Sequence, residues 1–405
     1  MAKKNANGDG SIYKRSDGLW CANISLGYNS DGTRKRKVIY DRDRKTLKEK
    51  MIDLQNDIAI NDGYIRDDEI RLQQWARTYL DEFIKPTVRE GTYDSYDVIC
   101  RNHIFNSNIA SMKLKDIKAY NLQAFMNTKT NMSKSYIKKI HLLLNTFFEN
   151  AVKNELIRKN PMIAVNKPSS KKEEKEIEVL TLDEQKSYMA NLNSTSYKPL
   201  LLTALFTGMR LGEIIALTWN NTDLVKKEIK VINSFRLTRI HDNEKPEWKM
   251  IKQPPKTKSS IRRIPIPDML VNELKLHKKK QSEKSLKLGV ENFNTQGLVF
   301  CSETGTPLTP RNVQRAHYLV CEKAKVNPQE IIKDEKTNIS YGVGFHALRH
   351  TFATRMIESK VDVKTVQDWL GHSTIQMTYN IYVHVQEQTK KAAADVQNDL
   401  FKSLL

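Results

Sequence analysis

The sequence is poor in the features that would place a chain outside the cell, in a membrane or around a nucleotide cofactor. Its 405 residues hold four cysteines, Cys21, Cys100, Cys301 and Cys321, each standing alone. None forms a C-x-x-C pair, so neither a structural zinc site nor a redox dithiol is expected, and all four read as reduced thiols. No run of about 18 apolar residues occurs, which argues against a membrane-spanning helix. Met1-Ala2-Lys3-Lys4 leads straight into polar sequence without an apolar signal core, and the expected location is the cytoplasm. Neither G-x-x-x-x-G-K-[ST] nor G-x-G-x-x-G is found, so nothing predicts ATP or a dinucleotide, and no cofactor or metal is expected. Negative charge is short too: 47 Asp and Glu face 67 Lys and Arg, a net charge of +20. A field of that sign favours a polyanionic partner, nucleic acid first.

What is present divides the chain into segments. At roughly 100–200 residues per domain, this length predicts two to four. Residues 1–65 read as a small sheet with one helix. Gly10–Tyr13, Leu19–Leu26 and Arg34–Tyr40 have strand composition, and Asp17-Gly18 and Asp31-Gly32 supply turns. Leu47, Met51, Leu54 and Ile58 recur at helical spacing before Gly63. Arg34, Lys35, Arg36 and Lys37 crowd the third strand, and a basic β-ribbon can lie in a DNA major groove. A solvated edge strand would carry the same charges.

Residues 66–165 read as a helical bundle, opening on an apolar stripe of Leu72, Trp75, Ala76, Tyr79, Leu80 and Phe83. Lys134, Lys138 and Lys139 stud a later helix, where they either touch a phosphate backbone or face water. A polar linker, 166–178, separates this bundle from residues 179–390, predicted as mostly helix with strands at Glu228–Phe235, Trp248–Ile251 and Ser260–Pro265. The polar stretch Gln281–Gln296 reads as a surface excursion. The tail, 391–405, carries Val396, Leu400, Phe401 and Leu404 on one face, to fold back or to dock on a neighbouring copy.

The residues that could do chemistry lie in the third segment. Arg210 stands just before a helical pattern, with Glu213 one turn on. A surface arginine paired with Glu213 would look the same locally. His346, Arg349 and His350 share one helix face. The H-E-x-x-H zinc pattern fails here because Ala347 replaces the glutamate, and the Arg349 cation would repel a metal. Gly371-His372 starts a short helix-like stretch, and Tyr379 and Tyr382 follow. Two guanidiniums can hold the oxygens of one phosphodiester, the histidines can donate hydrogen bonds to it, and a phenol can attack the phosphorus.

Thr207-Gly208-Met209-Arg210-Leu211-Gly212-Glu213, His346-x-x-Arg349-His350, Leu370-Gly371-His372 and Tyr382-x-His384 resemble the successive boxes of the tyrosine recombinase, or phage integrase, family. The three-segment layout is most similar to integrases of conjugative transposons and Gram-positive phages. The resemblance implies a multidomain fold, mainly α with small β-sheets: an N-terminal three-stranded sheet plus helix as an arm-type DNA-binding domain, a helical core-binding bundle, and a mixed α/β catalytic domain. It also implies a lysine on a β-hairpin, for which Lys256 is preferred and Lys258 remains an alternative. The implied catalytic set is Arg210, Lys256, His346, Arg349, His372 and Tyr382, with Tyr379 the alternative nucleophile. The implied activity is site-specific recombination through a 3′-phosphotyrosine intermediate. Its expected partners are double-stranded DNA at core and arm sites, three further copies of the chain in a homotetramer, and an accessory excision or DNA-bending protein. A type IB topoisomerase, a chromosome-dimer resolvase and a non-catalytic DNA-binding regulator are the competing assignments.

Overall fold

A computed structural model of the protein describes residues 11–28, 33–60, 69–173, 178–241, 246–254, 261–288, 293–333, 336–379 and 381. They fall into two compact units, Met1–Val88 with Ser95–Glu173, and Arg89–Asp94 with Glu174–Leu405. The architecture is mainly helical with small antiparallel sheets, and no described helix is long and apolar enough to cross a membrane.

The first unit opens with β1 (Ser11–Lys14), β2 (Trp20–Tyr28) and β3 (Arg34–Asp41), paired antiparallel in that order. Gly18, at φ +85°, makes the first turn, a conformation glycine adopts without steric cost. The second turn, Asp31-Gly32, lies outside the described residues, as does Gly63. Helix α1 (Arg44–Ile60) starts where the Asp43 carboxylate accepts the Thr46 N–H at 2.8 Å, and it buries Leu47 and Met51 against Ala22 and Ile24. Charge gathers around the aromatics of this sheet: Arg44 lies 5.4 Å from the Trp20 ring and Arg15 5.3 Å from Tyr40.

The bundle comprises α2 (Leu72–Thr78), α3 (Glu90–Ile99), α4 (Ala119–Asn127) and α5 (Lys134–Lys153). Two of them run on into π-helical turns, Tyr79–Ile84 after α2 and Cys100–Ile104 after α3. The first turn changes the apolar stripe. Leu72, Trp75, Ala76, Tyr79 and Leu80 are buried as expected, but the wider winding carries Phe83 outward to 41% exposure, stacked on Tyr79. Trp75 is fixed by its indole N–H, which donates to the Phe147 carbonyl of α5 at 2.8 Å.

The second unit contains α6 (Leu182–Asn191), α7 (Lys198–Thr207), α8 (Leu211–Ile215), β4 (Thr222–Asp223), β5 (Glu228–Val231), β6 (Ser234–Ile240), β7 (Glu247–Gln253), β8 (Arg262–Pro265), α9 (Asp268–Leu288), α10 (Pro310–Lys323), β9 (Gln329–Lys333), β10 (Lys336–Ser340), α11 (His346–Glu358) and α12 (Val363–Leu370). Its sheets are β4-β5-β8, the β6-β7 pair and the β9-β10 pair. Helix α7 is apolar all round, from Leu200 to Leu205, and forms the middle of the core, with α8, α9 and α11 around it.

Two expectations differ from this structure, and one hairpin was not foreseen. The single strand predicted over Glu228–Phe235 is two, β5 and β6, in separate sheets. The hairpin β9-β10 had no legible strand signal. Of the predicted excursion Gln281–Gln296, residues 281–288 instead complete α9, while 289–292 lie outside the described residues; the last turns of α9 are held by polar groups, as the Gln281 amide donates to Leu298 O and accepts the Trp219 indole N–H at 2.6 Å. A helix anchored in that way leaves little apolar periodicity.

His317 of α10 is wholly buried, bonded through Nδ1 to the Tyr188 hydroxyl at 2.8 Å and through Nε2 to Val343 O at 3.0 Å. Burial pushes its pKa down to about 4. The folded value lies below the unfolded one, so this stabilisation is complete above pH 6.5 and is lost as pH falls toward 4. Each such histidine adds a slope of about 1.4 kcal/mol per pH unit in that window. We expect urea midpoints to fall between pH 7 and pH 5, and the His317 ring signals in NMR to stay those of a neutral imidazole down to about pH 5; titration near 6.5 would contradict the assignment.

Candidate active site

Helix α7 ends at Gly208, whose φ of +60° lets the chain reverse at once into α8. A Cβ there would stand 2.6 Å from the Phe352 ring and 2.7 Å from Leu370, so glycine is required on both counts. Arg210 follows as the residue preceding α8, and Glu213 in the first turn accepts the Arg210 backbone N–H at 2.9 Å. The same carboxylate accepts the Arg210 guanidinium at 3.1 Å.

Glu213 is not a surface partner. It is 6% exposed and lies against Arg262 of β8, itself buried, which donates to both carboxylate oxygens at 3.1 and 2.7 Å. Burial works to raise the Glu213 pKa, but hydrogen bonding to Arg262 and the charges of Arg262 and Arg210 outweigh it and hold the carboxyl below its ordinary value.

Helix α12 supplies the other half. It stops at Gly371, with φ +64°, and His372 follows immediately; the helical stretch expected after Gly371-His372 is present over residues 375–379, and α12 before it was not foreseen. Its last carbonyls point at arginines. Trp369 O accepts from Arg262 Nε at 2.6 Å, Leu370 O from Arg349 at 2.8 Å and Gly371 O from Arg210 at 3.4 Å. Arg349, on the inner face of α11, also donates to Gly208 O at 2.7 Å. Unpaired carbonyls at a helix C-terminus carry partial negative charge, which suits guanidiniums.

Arg349 is 3% exposed; its pKa is pushed down to about 9, by burial first and then by Arg210, and it remains a cation at neutral pH. His372 is buried, and its Nδ1 lies 2.8 Å from the Thr378 hydroxyl. Burial, then Arg349 and Arg210, drive its pKa to about 3. His346 stands exposed at the rim, its ring edge-on to His350 at 4.8 Å. Burial of its inner side, then His350, Arg349 and Arg210, lower it to about 4. Both imidazoles are therefore neutral at pH 7, each able to donate one N–H and accept at the other nitrogen. Each guanidinium offers five donors, of which the contacts above engage two on Arg210 and two on Arg349. Positive charge and spare N–H groups at a partly open rim suit an anion such as a phosphodiester.

Arg210, His346, Arg349 and His372 thus meet, although more than 130 residues separate the first from the rest. Lys256 and Lys258, between β7 and β8 in sequence, lie outside the described residues, and so does Tyr382. Ile381, just before Tyr382, is buried with Phe352, Ala353, Val366 and Leu370. Tyr379 is 48% exposed. In the other unit, Arg36 and Lys37 are exposed on β3, where Arg34 and Lys35 also lie, and Lys134, Lys138 and Lys139 are exposed on α5 beside buried Ile137 and Ile140. Sequence reasoning did not single out Arg262. The signal for it existed: alternation along β8 turns Ile264 inward, and hence Arg262 too, and a buried arginine needs a carboxylate.

The family model described as "Phage integrase family" matches residues 178–389, and "Phage integrase, N-terminal SAM-like domain" matches residues 71–130. A "Tyrosine recombinase XerC-like" protein of Caldanaerobacter subterraneus subsp. tengcongensis is 33% identical over 99% of this chain and 100% of its own. The "ICEBs1 integrase" of Bacillus subtilis is 25% identical over 74% of this chain and 77% of its own. Among solved structures, the Tn1549 transposon integrase in complex with transposon right end DNA has the same fold, with a TM-score of 0.62 at 20% identity over 80% of this chain and all of that one.

The two glycines make the local geometry testable. Gly208→Ala and Gly371→Ala each force a side chain into left-handed backbone, at a cost of about 1–2 kcal/mol. Gly208→Ala should lose more in equilibrium urea denaturation, since its Cβ meets a core ring rather than the end of an arginine. Equal or negligible losses would contradict these positions.

Proposed function

This chain belongs to the phage integrase family, the tyrosine recombinases, and we propose that it is the site-specific DNA recombinase of a mobile element, integrating and excising DNA through a covalent 3′-phosphotyrosine intermediate. The observation that carries this reading is the meeting of Arg210, Arg349, His346 and His372 around spare guanidinium donors. Similarity to the Bacillus subtilis integrase supports the mobile-element part.

In the proposed reaction Tyr382 Oη attacks the scissile phosphorus. A P–Oη bond forms and the bond to the 5′ oxygen breaks, the phenolic proton passes to solvent water, and Lys256 gives a proton to the departing 5′ oxygen. Arg210 and Arg349 bind the non-bridging oxygens and offset the charge that grows on them, and removing one such preorganised donor costs about 100- to 1000-fold in rate. Neutral His346 and His372 add hydrogen bonds without competing for the proton. One ester replaces another, so the bond energy is kept and a second strand's 5′-hydroxyl reverses the step. That economy is what an attacking tyrosine offers over an attacking water.

Two duplexes need four such exchanges, so the active form is a tetramer on DNA, with residues 391–405 as the contact between copies. Residues 66–165 and 179–390 hold the core site, Lys134, Lys138 and Lys139 contributing to its backbone grip, while residues 1–65 with Arg34, Lys35, Arg36 and Lys37 hold arm sites. An accessory DNA-bending or excision protein completes the assembly, which works in the cytoplasm.

Tyr382→Phe should bind a nicked suicide duplex as tightly as the unaltered protein yet form no covalent adduct; an adduct that persists there and disappears in Tyr379→Phe would move the nucleophile. For Lys256→Ala, cleavage should be slow on an ordinary duplex and restored when sulfur replaces the 5′-bridging oxygen, because a thiolate leaves without a proton. Equal loss on both duplexes would assign Lys256 another role.

A further inference from the structure

Arg262 is the most heavily engaged arginine of the site and has no part in the reaction written above. Its guanidinium spans two elements: it grips the Glu213 carboxylate of α8 with two N–H groups and the Trp369 carbonyl of α12 with a third. Glu213 in turn holds the Arg210 backbone N–H and its Nη1, while Arg210 Nη2 reaches Gly371 O, two residues past Trp369. Carboxylate, guanidinium and helix end thus close a ring: Arg262 to Glu213, Glu213 to Arg210, Arg210 to Gly371, and back through the last turn of α12 to Trp369.

Arg262 is 8% exposed and Arg210 is a partly open residue at the rim, so the two differ in what they can reach. Gly371 is packed so closely that a Cβ there would sit 3.0 Å from Arg262 Nη1, which leaves no room for a ligand between them. Without Arg262, Glu213 would be a buried carboxylate with one charged partner, and that partner would be drawn in from the rim to satisfy it.

We propose that Arg262 is a positioning residue for the proposed recombination reaction: by saturating Glu213 and tying it to the end of α12, it keeps the Arg210 guanidinium turned toward the scissile phosphate. The inference rests on the recombinase reading. It assigns to Arg262 an effect on the phosphate's charge that is transmitted through Arg210 and Glu213 and involves no contact with DNA.

The test exploits that charge. Single-turnover formation of the covalent adduct is measured on a nicked duplex with an ordinary scissile phosphate and on one with a neutral methylphosphonate there, using Arg262→Ala, Arg262→Lys, Arg210→Ala and the double variant Arg210→Ala/Arg262→Ala. A misplaced active-site group costs about 100-fold in rate. On the ordinary duplex both Arg262 variants should lose about that much at unchanged DNA affinity. On the methylphosphonate, which has no negative charge for Arg210 to offset, most of the loss should vanish, as it should for Arg210→Ala. The double variant should be no slower than Arg210→Ala alone.

Equal losses on the two duplexes, or losses that multiply in the double variant, would make Arg262 merely structural and overturn the proposal. Should Arg262→Ala fail to fold, Arg262→Lys decides, since it keeps the charge and gives up the two-pronged grip. Failure of the unaltered protein to form any adduct would instead overturn the recombinase reading itself.

Discussion

Three guanidiniums from three distant stretches of chain end on three successive carbonyls, those of Trp369, Leu370 and Gly371, and one buried carboxylate, Glu213, lies between two of them. Like charges of this density repel, and burial makes the repulsion worse. They are held together by the negative end of α12, whose last carbonyls have no partner within the helix, and by Glu213. With three cations against one carboxylate, the cluster keeps an excess of positive charge that it cannot neutralise internally. An anion placed at the rim would do so, and this suits the site to an anion before any chemistry is considered.

The same arrangement explains why the surroundings are so particular. Gly208 and Gly371 take left-handed conformations because both helices must stop within one residue to aim their ends at the arginines. Helix α7 is apolar on every side because it must be buried for its C-terminus to lie at the centre of the unit. Helix α12 links the charged cluster to the segment that continues toward Tyr382: its Leu370 packs with Ile381, and the Thr378 hydroxyl reaches His372. A shift of that segment would therefore be felt at His372 and at the arginines, which ties the proposed nucleophile's delivery to the assembly of the pocket that receives its target.

Much of this was legible in the sequence, and the reasons differ from residue to residue. Arg210, His346, Arg349 and His372 were recognisable because short motifs surround them, and one of these includes the glycine that the turn after α7 requires. The helices with apolar stripes, α1 and α5 among them, were legible from their period. What escaped detection was structure held by polar groups. The end of α9 rests on Gln281, Phe83 is turned out by a π-helical turn with no composition of its own, and Gly371 stops a helix whose Asp362 start was overlooked. Arg262 escaped for a similar reason: its partner Glu213 is 49 residues away, and spacing alone could not distinguish a buried pair from two surface charges.

The central claim is that this charge cluster receives a DNA phosphate and that Tyr382 attacks it. The most direct measurement is to let the protein react with a nicked duplex carrying the joined ends of its element, digest the product, and identify the DNA-bearing peptide by mass spectrometry. The account expects a nucleotide 3′-phosphate on the Tyr382 phenol and on no other residue. Attachment at Tyr379 or at a serine, or scission that leaves the protein unmodified, would contradict it.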